Sequence, residues 1–153
     1  VSKMAQIKPL EYRDEKLIRR LLEIWESAVA KTHDFLSEAD IAVIKPDAKS
    51  GLLAIESLHC FYDDADIVQG FIGVENQKIE MLFIDAKARG QGIGKQLLTH
   101  AIAHLDAQYV DVNEQNEQGV GFYAHMGFAK KGRSEHDDQG RPFPILHLEL
   151  NLS

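Results

Sequence analysis

The apolar residues follow a helical period at the start of the chain. From Asp14 onward, Leu17, Ile18, Leu21, Leu22, Ile24, Trp25, Ala28 and Val29 recur at spacings of three and four, one face of a helix. Ala5 to Leu10, before it, reads as a short strand. Thr32-His33-Asp34-Phe35-Leu36 forms a loop, and Ser37, three residues ahead of Asp40, marks the start of a second helix. Pro46 predicts a break in that helix, with resumption toward Leu58. The period then shortens. Leu58–Tyr62, Ile67–Glu75 and Lys78–Ile84 are apolar or alternating runs separated by Asp63-Asp64-Ala65-Asp66 and Asn76-Gln77, the pattern of three consecutive antiparallel strands. Ile93, Leu97, Leu98, Ala101, Ile102 and Leu105 return to a helical stripe. Tyr109–Val112 reads as a strand, Val120–Met126 as a helix ended by Gly127, and Ala129–Arg133 and Ile145–Leu150 as the last strands. The order β-α-α-β-β-β-α-β-α-β-β predicts one mixed α/β domain over residues 1–153, with about seven largely antiparallel strands and four helices.

Composition narrows the class. Apolar residues make up 44% and charged residues 27% of 153 positions, an ordinary globular balance that excludes disorder as the main architecture. One cysteine, Cys60, excludes an intramolecular disulfide and a cysteine zinc cluster, and suits a cytoplasmic setting. No apolar run approaches membrane-spanning length and Val1–Leu10 carries no signal-peptide pattern, so neither membrane nor export is expected. Lys plus Arg is 17 against 24 Asp plus Glu, a formal charge of −7. That balance argues against a nucleic-acid partner, which rewards a basic face.

Arg89-Gly90-Gln91-Gly92-Ile93-Gly94-Lys95 lies between an apolar run and a helix. Its glycines permit a sharp turn and close approach of a ligand, and free N–H groups at a helix start attract anions. Lys87, Arg89 and Lys95 add local positive charge. A phosphate or pyrophosphate ligand is therefore expected. A Walker loop is excluded because Arg89 stands at the required first glycine and Gln96 follows Lys95. The G-x-G-x-G spacing, after antiparallel hairpins, excludes a Rossmann fingerprint.

The same segment resembles the R/Q-x-x-G-x-G/A motif of the GNAT (Gcn5-related) N-acetyltransferases. Asn116-Glu117-Gln118-Gly119-Val120-Gly121-Phe122-Tyr123-Ala124-His125-Met126-Gly127-Phe128 resembles the family's second signature, with Gly119 where alanine is usual. A closer likeness, to the small bacterial YjaB-like acetyltransferases, rests on Ile24-Trp25, Thr32 to Ser37, Asp111 to Gln118, and Gly132 to Glu135 with Asp138, Gly140 and Pro144. The resemblance implies a GNAT fold whose sheet splays between strands four and five. It implies acetyl-CoA as cosubstrate, no metal, and transfer to a primary amine on a small molecule or a protein. A non-catalytic acyl-CoA-binding module of the same fold is the alternative. A monomer and a homodimer are both open.

The resemblance also assigns residues. Pantetheine would lie along the backbone of Leu82, Phe83 and Ile84 and near Asn116. The pyrophosphate would sit on the loop Arg89, Gly90, Gln91, Gly92, Ile93, Gly94 and Lys95. Tyr123 would contact the cofactor and act as general acid, since a phenol is protonated at neutral pH. Glu80, expected on the face shared by Leu82 and Ile84, and His33, in the loop between the early helices, are the candidate bases. Trp25, His33, Phe35, Asp137 and Asp138 would line the acceptor site. His100, His104 and His125 fall on helices and are expected at solvent. His59 and His147 lie in strands without an assigned partner, and no histidine pair with a third ligand suggests a metal.

Overall fold

The computed structural model describes residues 4–151. Strand β1 (Gln6–Pro9) precedes helices α1 (Glu15–Thr32) and α2 (Glu38–Ala54). Strands β2 (Ser57–Tyr62), β3 (Val68–Glu75) and β4 (Lys78–Ile84) follow, then a 3-10 turn at Ala86–Ala88. Helix α3 (Ile93–His104), β5 (Tyr109–Asn113), helix α4 (Glu117–His125), β6 (Phe128–Ser134) and β7 (Ile145–Leu150) complete the order. The seven strands form one sheet in the order β1-β2-β3-β4-β5-β7-β6. Every neighbouring pair is antiparallel except β4–β5.

Local chemistry sets the boundaries. Asp14 caps α1 by accepting from the Leu17 N–H at 2.8 Å. Ser37 and Asp40 exchange hydrogen bonds in a capping box, which starts α2 where the sequence places it. The expected break at Pro46 does not occur: α2 runs unbroken to Ala54. Proline deletes one internal hydrogen bond, but α2 is capped at both ends, lies against α1, and is tied to it by Lys45 on Glu26 at 2.9 Å. Asn76 and Gln77 both take positive φ, closing the tight β3–β4 hairpin.

The core divides between the two sheet faces. Leu21, Ile24, Leu52, Leu58, Cys60 and Phe71 pack with α1 and α2 on one face. Ile72, Ile79, Leu97, Leu98, Val110 and Tyr123 pack with α3 and α4 on the other. The parallel β4–β5 ladder is confined to Lys78↔Tyr109 and Ile79↔Val110. Beyond that pair β4 keeps its antiparallel ladder with β3 only, and β5 turns to β7. The sheet therefore forks between β4 and β5.

Candidate active site

The fork opens two clefts that share a wall. The first, about 350 Å³, runs along Leu82, Phe83 and Ile84 to Arg89 and Gly94 on one side, and past Asn116 and Tyr123 on the other. The second, about 370 Å³, runs beneath α1 and α2 past Trp25 and Phe35 to Asp137 and Asp138. His33, Glu80, Met81, Phe83, Asp111 and Asn113 line both.

Along the first cleft the chain offers main-chain hydrogen-bonding groups. Residues 80–84 of β4 have no ladder partner on the β5 side, so one row of their N–H and C=O groups faces the opening. At its end, Gly90 and Gly92 take φ of 82° and 76°, a region L-side chains enter only with strain. Gly92 is the N-cap of α3 and supplies no side-chain cap, which leaves the first-turn N–H groups for a ligand. Ile93 is buried in the core, so only its main chain can meet a ligand. Gln91 on the loop and Lys95 in the first turn of α3 are not among the residues lining this cleft. Arg89 donates to the Gln118 side chain, joining the loop to α4. The loop is anchored from behind: the buried Asp85 pairs with Arg20 at 2.9 Å, and Ser27 on α1 accepts from the Ala86 N–H at 3.1 Å.

Tyr123 is 7% exposed and lies edge-on to Phe122 and Phe128. Burial pushes its phenol well above the usual range, so it stays protonated at neutral pH. Asn116 caps α4 by accepting from the Gly119 N–H at 3.1 Å. A Cβ at position 119 would stand 2.4 Å from Asn116 Nδ2, so glycine there gives the cap its room.

Glu80 departs from the expected alternation. The β3–β4 register shifts between Gly73 and Val74, whose partners are Met81 and Ile79. Glu80 is the extra residue of a bulge, which re-aims its side chain. Leu82 and Ile84 pack against the α3/α4 core, whereas Glu80 meets Lys78 at 3.6 Å on the shared wall. Burial raises the Glu80 carboxyl above its ordinary value, and the Lys78 ammonium opposes that shift. His33 is buried, and burial lowers its imidazole to about 4 despite Asp34. Thr32 Oγ1 lies 2.9 Å from the Ala28 carbonyl and 2.7 Å from His33 Nδ1. The one hydroxyl proton goes to the carbonyl, so Nδ1–H donates to Thr32 and Nε2 keeps its lone pair.

In the second cleft, His33, Phe35 and Phe143 form a run of rings with centroids 5.3 and 5.7 Å apart. Asp137 folds its own loop, accepting from the N–H groups of Gln139 and Arg141 at 2.9 and 2.8 Å. Arg141 bridges Asp137 to Asp47 on α2, closing that end.

Sequence reading missed several residues. Asp111 lines both clefts and pairs with Lys78 at 2.8 Å and with His147 at 2.7 Å. The signal was present: Asp111 is a carboxylate between Val110 and Val112 on a strand. His147 also bonds Ser134, and His100 bonds His59 at 3.1 Å, so both strand histidines have partners; His100 is half-buried rather than at solvent, whereas His104 and His125 are exposed as expected. Among the described residues no three histidine, cysteine or acidic side chains are grouped to hold a metal, and no helix is long and apolar enough to cross a membrane.

The forked sheet with a glycine loop at the start of α3 is the arrangement the sequence resemblance implies, and comparison gives the family. Residues 38–145 match the acetyltransferase (GNAT) domain model, and the chain belongs to the GNAT family. It is 44% identical over 129 residues to the peptidyl-lysine N-acetyltransferase YjaB of Salmonella typhimurium, covering 84% of this chain and 88% of that protein. The apo-form solution structure of Escherichia coli YjaB superposes with a TM-score of 0.85 at 36% identity, covering 95% of this chain and 97% of that one. The PaiA N-acetyltransferase of Thermoplasma acidophilum, crystallised with coenzyme A, shares the fold at a TM-score of 0.67 and 23% identity, over 94% and 97% of the two chains. The chain is an acetyltransferase of this family.

Proposed function

We propose that the protein transfers the acetyl group of acetyl-CoA to the side-chain amine of a lysine in a protein. The carrying observation is the shared wall: one cleft leads from it to the glycine loop at the start of α3, the other to aromatic rings and carboxylates. A long cosubstrate ending in pyrophosphate suits the first, with pantetheine on the open backbone of residues 82–84 and phosphate on the N–H groups of the glycine loop. A lysine side chain, an apolar stem carrying a cation, suits the second. The YjaB relatives carry the same acceptor in their name.

In this reading the amine nitrogen attacks the thioester carbonyl, a C–N bond forms and the C–S bond breaks. Glu80, whose raised pKa brings it nearer to neutrality, takes the amine proton directly or through one water. His33, neutral with a free Nε2, accepts a hydrogen bond from the incoming amine. Tyr123 donates its proton to the departing thiolate. Trp25, Phe35 and Phe143 exclude water from the acceptor stem.

The test incubates the protein with acetyl-CoA and lysine peptides, follows CoA thiol release, and locates the acetyl group by mass spectrometry. Acetyl-lysine formed in step with CoA release is expected. Tight acetyl-CoA binding without any acetylated amine would reject transfer in favour of a binding module.

A further inference from the structure

Asp111 stands outside the roles assigned above. It is the first β5 residue past the fork, as Glu80 is the first β4 residue past it. Its carboxylate is fixed from two sides. His147 Nδ1–H donates to Oδ1 at 2.7 Å, and Lys78 Nζ donates to Oδ2 at 2.8 Å. His147 is itself fixed: with Nδ1–H turned to Asp111, its Nε2 lies in hydrogen-bond contact with the Ser134 hydroxyl, 2.7 Å away. β5 and β7 place Asp111 and His147 as direct cross-strand partners, and Ser134 follows on β6. A three-strand relay thus holds one carboxylate at the meeting point of the two clefts. Two bonds leave further carboxylate lone pairs for another donor.

The two wall carboxylates differ in character. The bonds from Lys78 and His147 outweigh burial and hold Asp111 below its ordinary value, whereas burial raises Glu80. Pairs pushed apart in this way divide labour between a permanent anion and a proton acceptor. The charged and titratable groups about the fork are His33, Lys78, Glu80, Asp111, Asp138 and His147. Asp138 acts through its charge on both Lys78 and Glu80. One ammonium faces three carboxylates, so the fork stays net negative. Lys78 Nζ, 2.8 Å from Asp111 and 3.6 Å from Glu80, shows that an alkylammonium fits against both.

The geometry points to Asp111 as the anchor for the acceptor's ammonium group, with His147 and Ser134 as its positioning residues. This rests on the lysine-acceptor reading and adds the group that selects a cation. Binding and turnover are therefore measured separately. The protein, loaded with CoA so that no transfer can follow, is titrated by calorimetry with a lysine peptide and with the same peptide carrying norleucine. A hydrogen-bonded charge pair predicts about 10- to 100-fold tighter binding of the lysine peptide by the wild type. Asp111→Asn should erase most of that preference, with CoA affinity and melting temperature as controls for the fold. His147→Gln, which keeps a donor for Asp111, should retain more of the preference than His147→Leu. Equal affinity of the wild type for the two peptides, or a full preference in Asp111→Asn, overturns the assignment whether or not the lysine peptide is acetylated. Acetylation with acetyl-CoA is scored apart, and its failure would bear on the activity alone.

Discussion

At the scale of single residues, Tyr123 and Gly119 give the sharpest tests. The Tyr123 ring is held by edge contacts to Phe122 and Phe128 at centroid distances of 5.2 and 5.6 Å, so Tyr123→Phe keeps the packing and removes one hydroxyl. General acid catalysis is worth about 10²–10⁴-fold, and a thiolate is a fair leaving group, so kcat should fall near the lower figure. The KM for acetyl-CoA should barely move, since the loop and the β4 backbone supply that affinity. A variant with full kcat would make Tyr123 structural. Gly119→Ala sets two local effects against each other. Its Cβ would displace the Asn116 side chain from the α4 cap, costing about 1 kcal/mol, while alanine in a helix gains about the same over glycine. The melting temperature should stay within about 4 °C, at 2–4 °C per kcal/mol for a domain of this size. Amide exchange at residue 119 should nonetheless accelerate, because its N–H loses the Asn116 oxygen. Unchanged exchange would show that the cap persists.

At the scale of elements, the glycine loop and α3 act together. Gly92 holds a left-handed conformation with open space where a Cβ would go. Gly92→Glu therefore adds strain of about 1 kcal/mol and a negative charge beside the helix start. Gly92→Ala adds the strain alone. Acetyl-CoA affinity measured by calorimetry should fall at least tenfold further for Glu than for Ala, and equal losses would remove charge recognition from the loop. This element was legible because its chemistry is consecutive in sequence, as were the hairpin at Asn76-Gln77 and the capping box at Ser37. What could not be read depends on contacts between distant segments. Pro46 signals a break by local rules, but packing on α1 overrides them. The bulge that turns Glu80 toward Lys78 is a register property of two strands, invisible in β4 alone. Asp111, His147 and Ser134 come from three strands, and their hydrogen bonds exist only once β5, β7 and β6 are ordered. Trp25, His33 and Phe35 were placed with Asp137 and Asp138 from family likeness, and the second cleft does bring them together.

At the scale of the whole molecule, burying His33 beneath α1 couples the wall of the two clefts to global stability. In the unfolded chain this imidazole takes up a proton as pH falls through its ordinary value of 6.5, whereas in the fold it stays neutral down to about 4. Between those limits the unfolded chain binds more protons, so stability rises with pH. The contribution is complete above pH 6.5 and is lost as pH falls toward 4, a total of about 3 kcal/mol at 1.36 kcal/mol per pKa unit. His59 and His100 shift the same way, lowered first by burial and then by neighbouring histidines, while the raised Glu80 works in the opposite sense. Asp63, Asp111 and Glu114 are held below their ordinary values and act at lower pH. His33 should therefore dominate the range from pH 7 to pH 5. Its share there is about 2 kcal/mol, or roughly 4–8 °C of melting temperature for a chain of this length. His33→Gln, which can still bond Thr32 but cannot titrate, should melt lower than wild type at pH 7, because it loses a buried ring packed on Phe35, yet lose less on going to pH 5. Thermal melts of both proteins at half-unit steps of pH, without acetyl-CoA, give the slopes. Parallel curves for the two proteins would show that His33 titrates alike in the folded and unfolded chains, and would return it to the wall as an ordinary near-neutral base.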